Sequence, residues 1–474
     1  MVLRRFRAPS IPSLDFGAIR AELGVPGPFP AEVEAAAEAA AAEPHLPDHD
    51  ATDLELVTID PAGSMDLDQA VAIAPADGGG WRVSYAIADV ASWVAPGGPV
   101  DVEARARTQT FYLPDGRTPL HPPALGEAAA SLLPDGPRPA VLWTIDVAAD
   151  GTTRAIDVRR AVVRSRAQLT YAGVQEALDA GTAPEAIRAF PDLGRALLAD
   201  ARARNAIELG LPEQEVVATP DGHWTVELRG DLAIEQWNAQ VSLLTGRAAA
   251  SLMLGAGIGI GILRTLPTPD PESFPRLQRA ARSLGIDWPD GAHPGAVLAA
   301  LDTSRPKHAA FADLAAELLR GAAYTAFDGP PPADPGHAGV GAPYAHVTAP
   351  LRRLVDRFGT EVCLAVAAGT EVPAWAKDAL PQLPELMAAG DSRSHKVDRA
   401  VVDATEAFVL ADRVGDTFPA SVVESGKDYG TVAIEDPAIR ARCDAKRLPL
   451  GEEITVRCTT ADVAARTVRF ERIA

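Results

Sequence analysis

Asp60, Asp66 and Asp68 fall within nine positions of the stretch TIDPAGSMDLDQAV, with Gln69 beside the last of them. Any fold that accepts this stretch must accommodate three like charges that are close neighbours in sequence. The apolar-rich run LELVTI leads in, while VAIA and WRVSYAIADV lead out, separated by the turn PADGGG. That order predicts a strand, a glycine-containing loop and then a hairpin. The carboxylates therefore lie on a loop at a strand end, where a rigid scaffold often carries ligand-binding groups. Neighbouring carboxylates repel, and a hard cation is the usual means of keeping them close; Mg suits the task when phosphates complete its shell. An EF-hand is excluded because the invariant glycine and closing glutamate are missing. A solvated acidic loop is the plain alternative.

The length of 474 residues allows two or three domains, and 47% hydrophobic with 23% charged residues is ordinary for a globular chain. A net charge of −20 argues against a broad basic face, so any nucleic-acid role must rest on a local patch or a narrow channel. Cys363, Cys443 and Cys458 are widely spaced and lack CxxC spacing, which fits a reduced, cytoplasmic chain. The start MVLRRFRAPSIPSL has no long apolar core of the kind a signal peptide needs. No apolar run reaches the length of a membrane span. LTGRAAASLMLGAGIGIGI comes nearest and reads as a buried helix followed by a strand.

Residues 1–50 read as an N-terminal extension, with PAEVEAAAEAAAAEP a helix bounded by prolines. From about 54 to 165 β patterning dominates, including a hairpin in VLWTIDVAADGTTRAIDVRRAVV with Asp150 and Gly151 at its tip. From about 170 to 330 the period is helical. In DLAIEQWNAQVSLLTGRAA, Ile234, Trp237, Val241 and Leu244 share one face. Further helix follows to about Ala411, and then FPASVVE, GTVAIE, EITVRCT and TVRFERI suggest a five-stranded OB-type barrel.

The strings TIDPAGSMDLDQA, YAIADVASWV, FYLPDGRTPLHPPALGEAAASLLP, SRAQLTY and YAHVTAPLRRLVDR occur in one order. Together they closely resemble the catalytic (RNB) domain of the RNase II/RNase R exoribonucleases, from about Leu54 to about Arg413. The resemblance implies an α+β fold, with mixed or antiparallel sheets and helices around an RNA channel, over residues 51–413. A C-terminal OB-like barrel over 414–474 follows it. It also implies Mg-dependent hydrolysis of single-stranded RNA from the 3′ end to nucleoside 5′-monophosphates.

By the same resemblance Asp60 and Asp66 match metal-site aspartates, and Asp68 matches the one tied most closely to the chemical step. Gln69 departs from the family, which usually has a fourth Asp there; a Gln carbonyl can still ligate Mg, but without charge. Arg352 matches an arginine that grips the scissile phosphate, a task suited to an always-charged guanidinium. Its neighbour Arg353 is a second candidate for an RNA-backbone contact, or a helix-surface salt bridge. Tyr112 matches an aromatic that clamps the terminal nucleotide, and Tyr171 a residue that recognises RNA; core packing is the alternative for both. Glu235 stands where the family has a Glu pair near the terminal riboses, and reads equally well as a solvated helix charge. His346 reads as a hydrogen-bonded supporting residue.

The flanks are shorter than in large family members, which carry two cold-shock-type barrels ahead of the catalytic domain. The C-terminal barrel is thin in aromatics (Phe418, Tyr429, Phe470), which predicts a weak grip on RNA and low processivity. The expectation is a monomeric cytoplasmic 3′-to-5′ exoribonuclease with no membrane or obligate protein partner. Gln69 and the acidic charge motivate the alternative, a weakened member that binds RNA 3′ ends without degrading them efficiently. A nucleotidyltransferase is excluded for want of a third carboxylate on a neighbouring strand and a Gly-Ser helix.

Overall fold

The computed structural model describes residues 14–134, 136–211, 213–219, 223–255 and 259–473. The basic start of the chain lies outside them, as do residues 256–258, which join the expected buried helix to its strand.

Alternating side chains build the centre of the molecule. Strands Gln69–Pro75, Trp81–Ala88, Arg138–Val147 and Thr153–Val163 form an antiparallel sheet in that order. The turn between the first two needs its glycines: Gly78, Gly79 and Gly80 have φ of 81°, 87° and 89°. Val71, Tyr85, Trp143 and Val158 are cross-strand neighbours and point into the main core. There they meet Ile187, Phe190, Ile234, Val241 and Phe358 from the helical side. The opposite face offers Ala70, Ala86, Leu142 and Ala161, and helix Ala31–Ala42 closes over it through Val33 and Ala37. Small residues on both surfaces permit that approach, so this part of the N-terminal extension packs into the same body as the sheet.

The region expected to be helical contains two antiparallel β pairs besides its helices. Glu213–Ala218 pairs with Trp224–Arg229, and Ile260–Thr265 pairs with the distant Ala323–Asp328. Short strands of this kind depend on their partners more than on local pattern. Helix Ala233–Gly255 buries Ile234, Val241 and Leu244 as its periodicity predicts, while Trp237 is half-buried. Helix Leu383–Leu410 links the central body to the C-terminal unit, where Ala407 and Leu410 enter the barrel core.

That unit is a closed barrel in which Thr417–Ser425, Gly430–Ile434, Ile439–Cys443, Thr467–Arg472 and Glu453–Asp462 are successive neighbours. Four of these strands coincide with the runs seen in the sequence; IRARC supplies the fifth. Ile439–Cys443 and Thr467–Arg472 pair in parallel and the other neighbours antiparallel, consistent with an OB-like barrel. The three cysteines are free and buried. Among the described residues no helix is long and apolar enough to cross a membrane.

Candidate active site

The acidic loop is fixed by pairing that is remote in sequence. Strand Thr58–Asp60 runs parallel to Gln168–Thr170, which sets Asp60 opposite Thr170. The Thr170 hydroxyl accepts from Gly173 N at 3.1 Å and caps helix Tyr171–Asp179, so Asp60 and Tyr171 share one corner. Ser131, from the ASLLP stretch, accepts from Leu67 N at 2.9 Å and donates to Met65 O at 2.6 Å. Gln168 Nε2 donates to Ser64 O at 2.6 Å. The loop is thereby held at Ser64, Met65 and Leu67, on both sides of Asp66.

The arginine segment arrives from the other side. Gly246 lets it cross helix Ala233–Gly255, since a Cβ there would overlap the Tyr344 ring and the Ala345 carbonyl. Thr110 N donates to Arg352 O at 3.0 Å, and Leu354 N to Thr108 O at 3.0 Å. Asp356 then separates the two arginines. It is fully buried, accepts from Ala349 N at 2.7 Å, and takes both Nε and Nη2 of Arg353 at 2.5 and 2.7 Å. Arg353 is thus held in a bidentate pair. Arg352 turns the other way: half its side chain is exposed, and its Nε lies 3.4 Å from Asp68 Oδ2. The other Asp68 oxygen accepts from Leu351 N at 2.8 Å.

A short hairpin, Phe111–Leu113 with Gly116–Thr118, reaches Asp66 twice. The Tyr112 hydroxyl donates to Oδ2 at 3.1 Å and Arg117 Nη1 to Oδ1 at 2.5 Å, with Arg117 Nε also on Glu127 at 3.0 Å. The Tyr112 residue is about half exposed to solvent. The Tyr171 hydroxyl accepts from Asn238 Nδ2 at 3.2 Å. Glu235 faces elsewhere: it caps Leu232 N at 2.7 Å and binds Arg229 at 2.8 Å. His346 is half-buried, its Nδ1 2.7 Å from the Tyr324 hydroxyl, and desolvation holds its pKa well below the ordinary imidazole value. Gln69 donates from Nε2 to Thr348 O at 2.7 Å, while its Oε1 accepts from Tyr85 and from Ser242, the latter at 3.3 Å.

Burial dominates the electrostatics. It pushes the Asp68 carboxyl up to about 8 against the pull of Arg352, and Asp60 up to about 6 against the same arginine, with Asp66 adding repulsion. Asp60 Oδ2 is buried without a hydrogen-bond partner. A divalent cation suits these groups, because it would neutralise the desolvated carboxylates and engage the orphaned oxygen. Among the described residues, however, no three His, Cys, Asp or Glu side chains converge as a ready-made cage. Asp66 spends both oxygens on Tyr112 and Arg117, and Gln69 has both ends bonded to protein. Asp60, with its unpartnered Oδ2, and Asp68, whose Oδ2 has the Arg352 Nε no nearer than 3.4 Å, are better placed to hold such a cation. Sequence reasoning passed over Arg117, Ser131, Tyr85, Ser242 and Asp356. Arg117 and Ser131 stand inside the quoted motifs, but nothing local reveals which atoms they reach.

Residues 48–359 match the family model described as the RNB domain, and residues 416–473 match the RNase II-type exonuclease C-terminal S1 domain. The chain is 26% identical to ribonuclease R of Escherichia coli over 411 residues, covering 80% of this chain and 49% of that protein. It is 26% identical to ribonuclease R of Thermotoga maritima over 367 residues, 73% of this chain and 50% of the relative. The chain thus spans about half the length of these curated relatives. The apo structure of Mycoplasma genitalium RNase R superposes with a TM-score of 0.85 at 19% identity, covering 97% of this chain and 77% of that one. With the domain model spanning most of the chain and the same architecture found in a solved relative, this protein belongs to the RNB-domain family.

Proposed function

We propose that the chain is a divalent-metal-dependent exoribonuclease that hydrolyses single-stranded RNA from the 3′ end and releases nucleoside 5′-monophosphates. The observation that carries this reading is the corner itself: desolvated Asp60 and Asp68 face a half-exposed Arg352 whose Nε lies 3.4 Å from Asp68. A phosphodiester fits between such groups, because its negative charge satisfies the guanidinium while a cation offsets the carboxylates. Mg held by Asp60 and Asp68 would screen the phosphate and activate the attacking water. Arg352 binds a non-bridging oxygen and stabilises the charge that grows there in the transition state. Leu351 N holds Asp68 in register, and Tyr112 offers an exposed ring on which a terminal base stacks.

Mycoplasma genitalium RNase R has been solved with ribose-methylated single-stranded RNA and with double-stranded RNA. Those complexes support RNA as the ligand class. Buried free thiols support a reducing, cytoplasmic setting. The test is degradation of 5′-labelled single-stranded RNA across a Mg titration, beside Asp68→Asn. Stepwise shortening by the wild type alone is expected. Equal inertness of the two proteins at every Mg concentration would sink the enzyme reading and leave RNA-end binding without turnover.

A further inference from the structure

We infer that Gln69 is a positioning residue and not a metal ligand, and that Tyr85 and Ser242 act with it. The inference rests on the nuclease reading above and concerns how its two halves are held in register.

The four groups meet beneath the acidic loop and come from four parts of the chain. Gln69 opens the strand that follows Asp68; Tyr85 lies on the adjacent strand, Ser242 on helix Ala233–Gly255, and Thr348 on the segment that carries Arg352. Thr348 O can only accept, so the Gln69 nitrogen must face it, at 2.7 Å. That fixes Oε1 on the far side, where the Tyr85 hydroxyl donates to it and Ser242 Oγ approaches at 3.3 Å. Tyr85 and Ser242 also lie 2.8 Å apart; with one proton each, Tyr85 donates to Oε1 and the Ser242 proton is shared between Oε1 and the Tyr85 oxygen. An amide carbonyl has two lone pairs, and both are approached here by hydroxyls. Turning the amide over would set oxygen against the Thr348 carbonyl. A cation would have to displace buried Tyr85 or break the Thr348 bond to reach Oε1.

The consequence is mechanical. Gln69 ties the residue after Asp68 to a residue four before Arg352, so the junction sets the spacing between carboxylate and guanidinium. A carboxylate at position 69 would place acceptor against acceptor at Thr348 and bury a charge beside Tyr85. Neutrality at this position suits the surroundings that this chain provides.

The test separates ligation from positioning. The full chain and its Q69M, Q69D, S242A and S242T variants are titrated with Mn²⁺ by calorimetry without RNA, then assayed on RNA with Mn²⁺. Q69M and S242A should lower kcat by roughly 10- to 100-fold while KM and Mn²⁺ affinity stay within about twofold of wild type. S242T keeps the hydroxyl and should retain the wild-type kcat, and Q69D should bind Mn²⁺ no more tightly and turn over more slowly. Mn²⁺ affinity lowered about tenfold or more in Q69M, or raised in Q69D together with activity, would overturn the inference. Should the Gln69 variants fail to fold by circular dichroism, S242A decides alone, and kinetics indistinguishable from wild type would overturn it. An inert wild type would sink the nuclease reading instead, and the Mn²⁺ titrations of the Gln69 variants would still decide ligation.

Discussion

The acidic corner and the C-terminal barrel are built on opposite terms. The barrel closes mainly through strands near each other in sequence, around apolar side chains such as Val422, Val432, Val456 and Phe470. The corner joins residues from the 60s, the 110s, the 240s and the 350s, and it buries charge. Apolar burial stabilises roughly in proportion to area and tolerates substitution of similar volume. Buried charge is different: a pair that is complete costs little, and a pair broken on one side costs a great deal. The barrel should therefore degrade gradually under mutation and the corner abruptly.

The largest effect should come from breaking the buried pair behind the site. Arg353→Met leaves Asp356 charged and buried, and is expected to cost about 3–5 kcal/mol in urea unfolding. Restoring balance with Asp356→Asn should recover part of that loss. Arg352→Ala, one residue earlier, removes a half-exposed partner 3.4 Å from Asp68 and should cost clearly less in urea unfolding than Arg353→Met, while lowering kcat on RNA by about 10²–10³. If the two variants behave alike, the division of labour between these neighbours is wrong.

In the barrel, Phe470 is fully buried against Phe418, and Phe470→Ala should cost about 3 kcal/mol while leaving Mn²⁺ affinity intact. The smallest effect concerns Glu406, where the barrel meets the long helix. Its carboxylate accepts from Arg440 N and Gln214 Nε2, both at 2.8 Å, yet burial raises its pKa to about 7 from an ordinary 4.5. The folded state keeps a proton that the unfolded chain releases, so this group's contribution to stability falls as pH rises from about 4.5 to 7. Glu406→Gln should raise the melting temperature at pH 8 and change it little at pH 4. Parallel melting curves for the two proteins across that range would refute the assignment.

Much of this was legible in the residues. The hairpins around PADGGG and Asp150-Gly151 follow from turn chemistry, and alternation marks four of the five barrel strands. IRARC escaped because Arg440 and Arg442 interrupt a short run whose Ile439, Ala441 and Cys443 are its inward positions. Among the expected aromatics of the barrel, Phe418 and Phe470 are core, and only Tyr429 is exposed, with Arg442 3.9 Å from its ring centroid. At the site, the clustering of Asp60, Asp66 and Asp68 is visible in the residues and the family resemblance adds Arg352; the fold brings the four to one corner. The partners of Arg353, Glu235 and Gln69 could not be read, because a side chain's role depends on which atom faces it.

The sequence by itself determined the alternation that makes the central sheet, the periodicity of helix Ala233–Gly255, the barrel, and the presence of an acidic loop and an arginine pair. These are local properties, set by period, turn residues and charge along the chain. The tertiary structure decided that Asp60 stands beside Tyr171, that Arg353 is spent on Asp356 while Arg352 is free to face Asp68, and that Gln69 is held by Tyr85, Ser242 and Thr348. Those outcomes rest on hydrogen bonds and desolvation between distant segments. Their strength depends on distances of a few ångströms that no spacing in the sequence specifies.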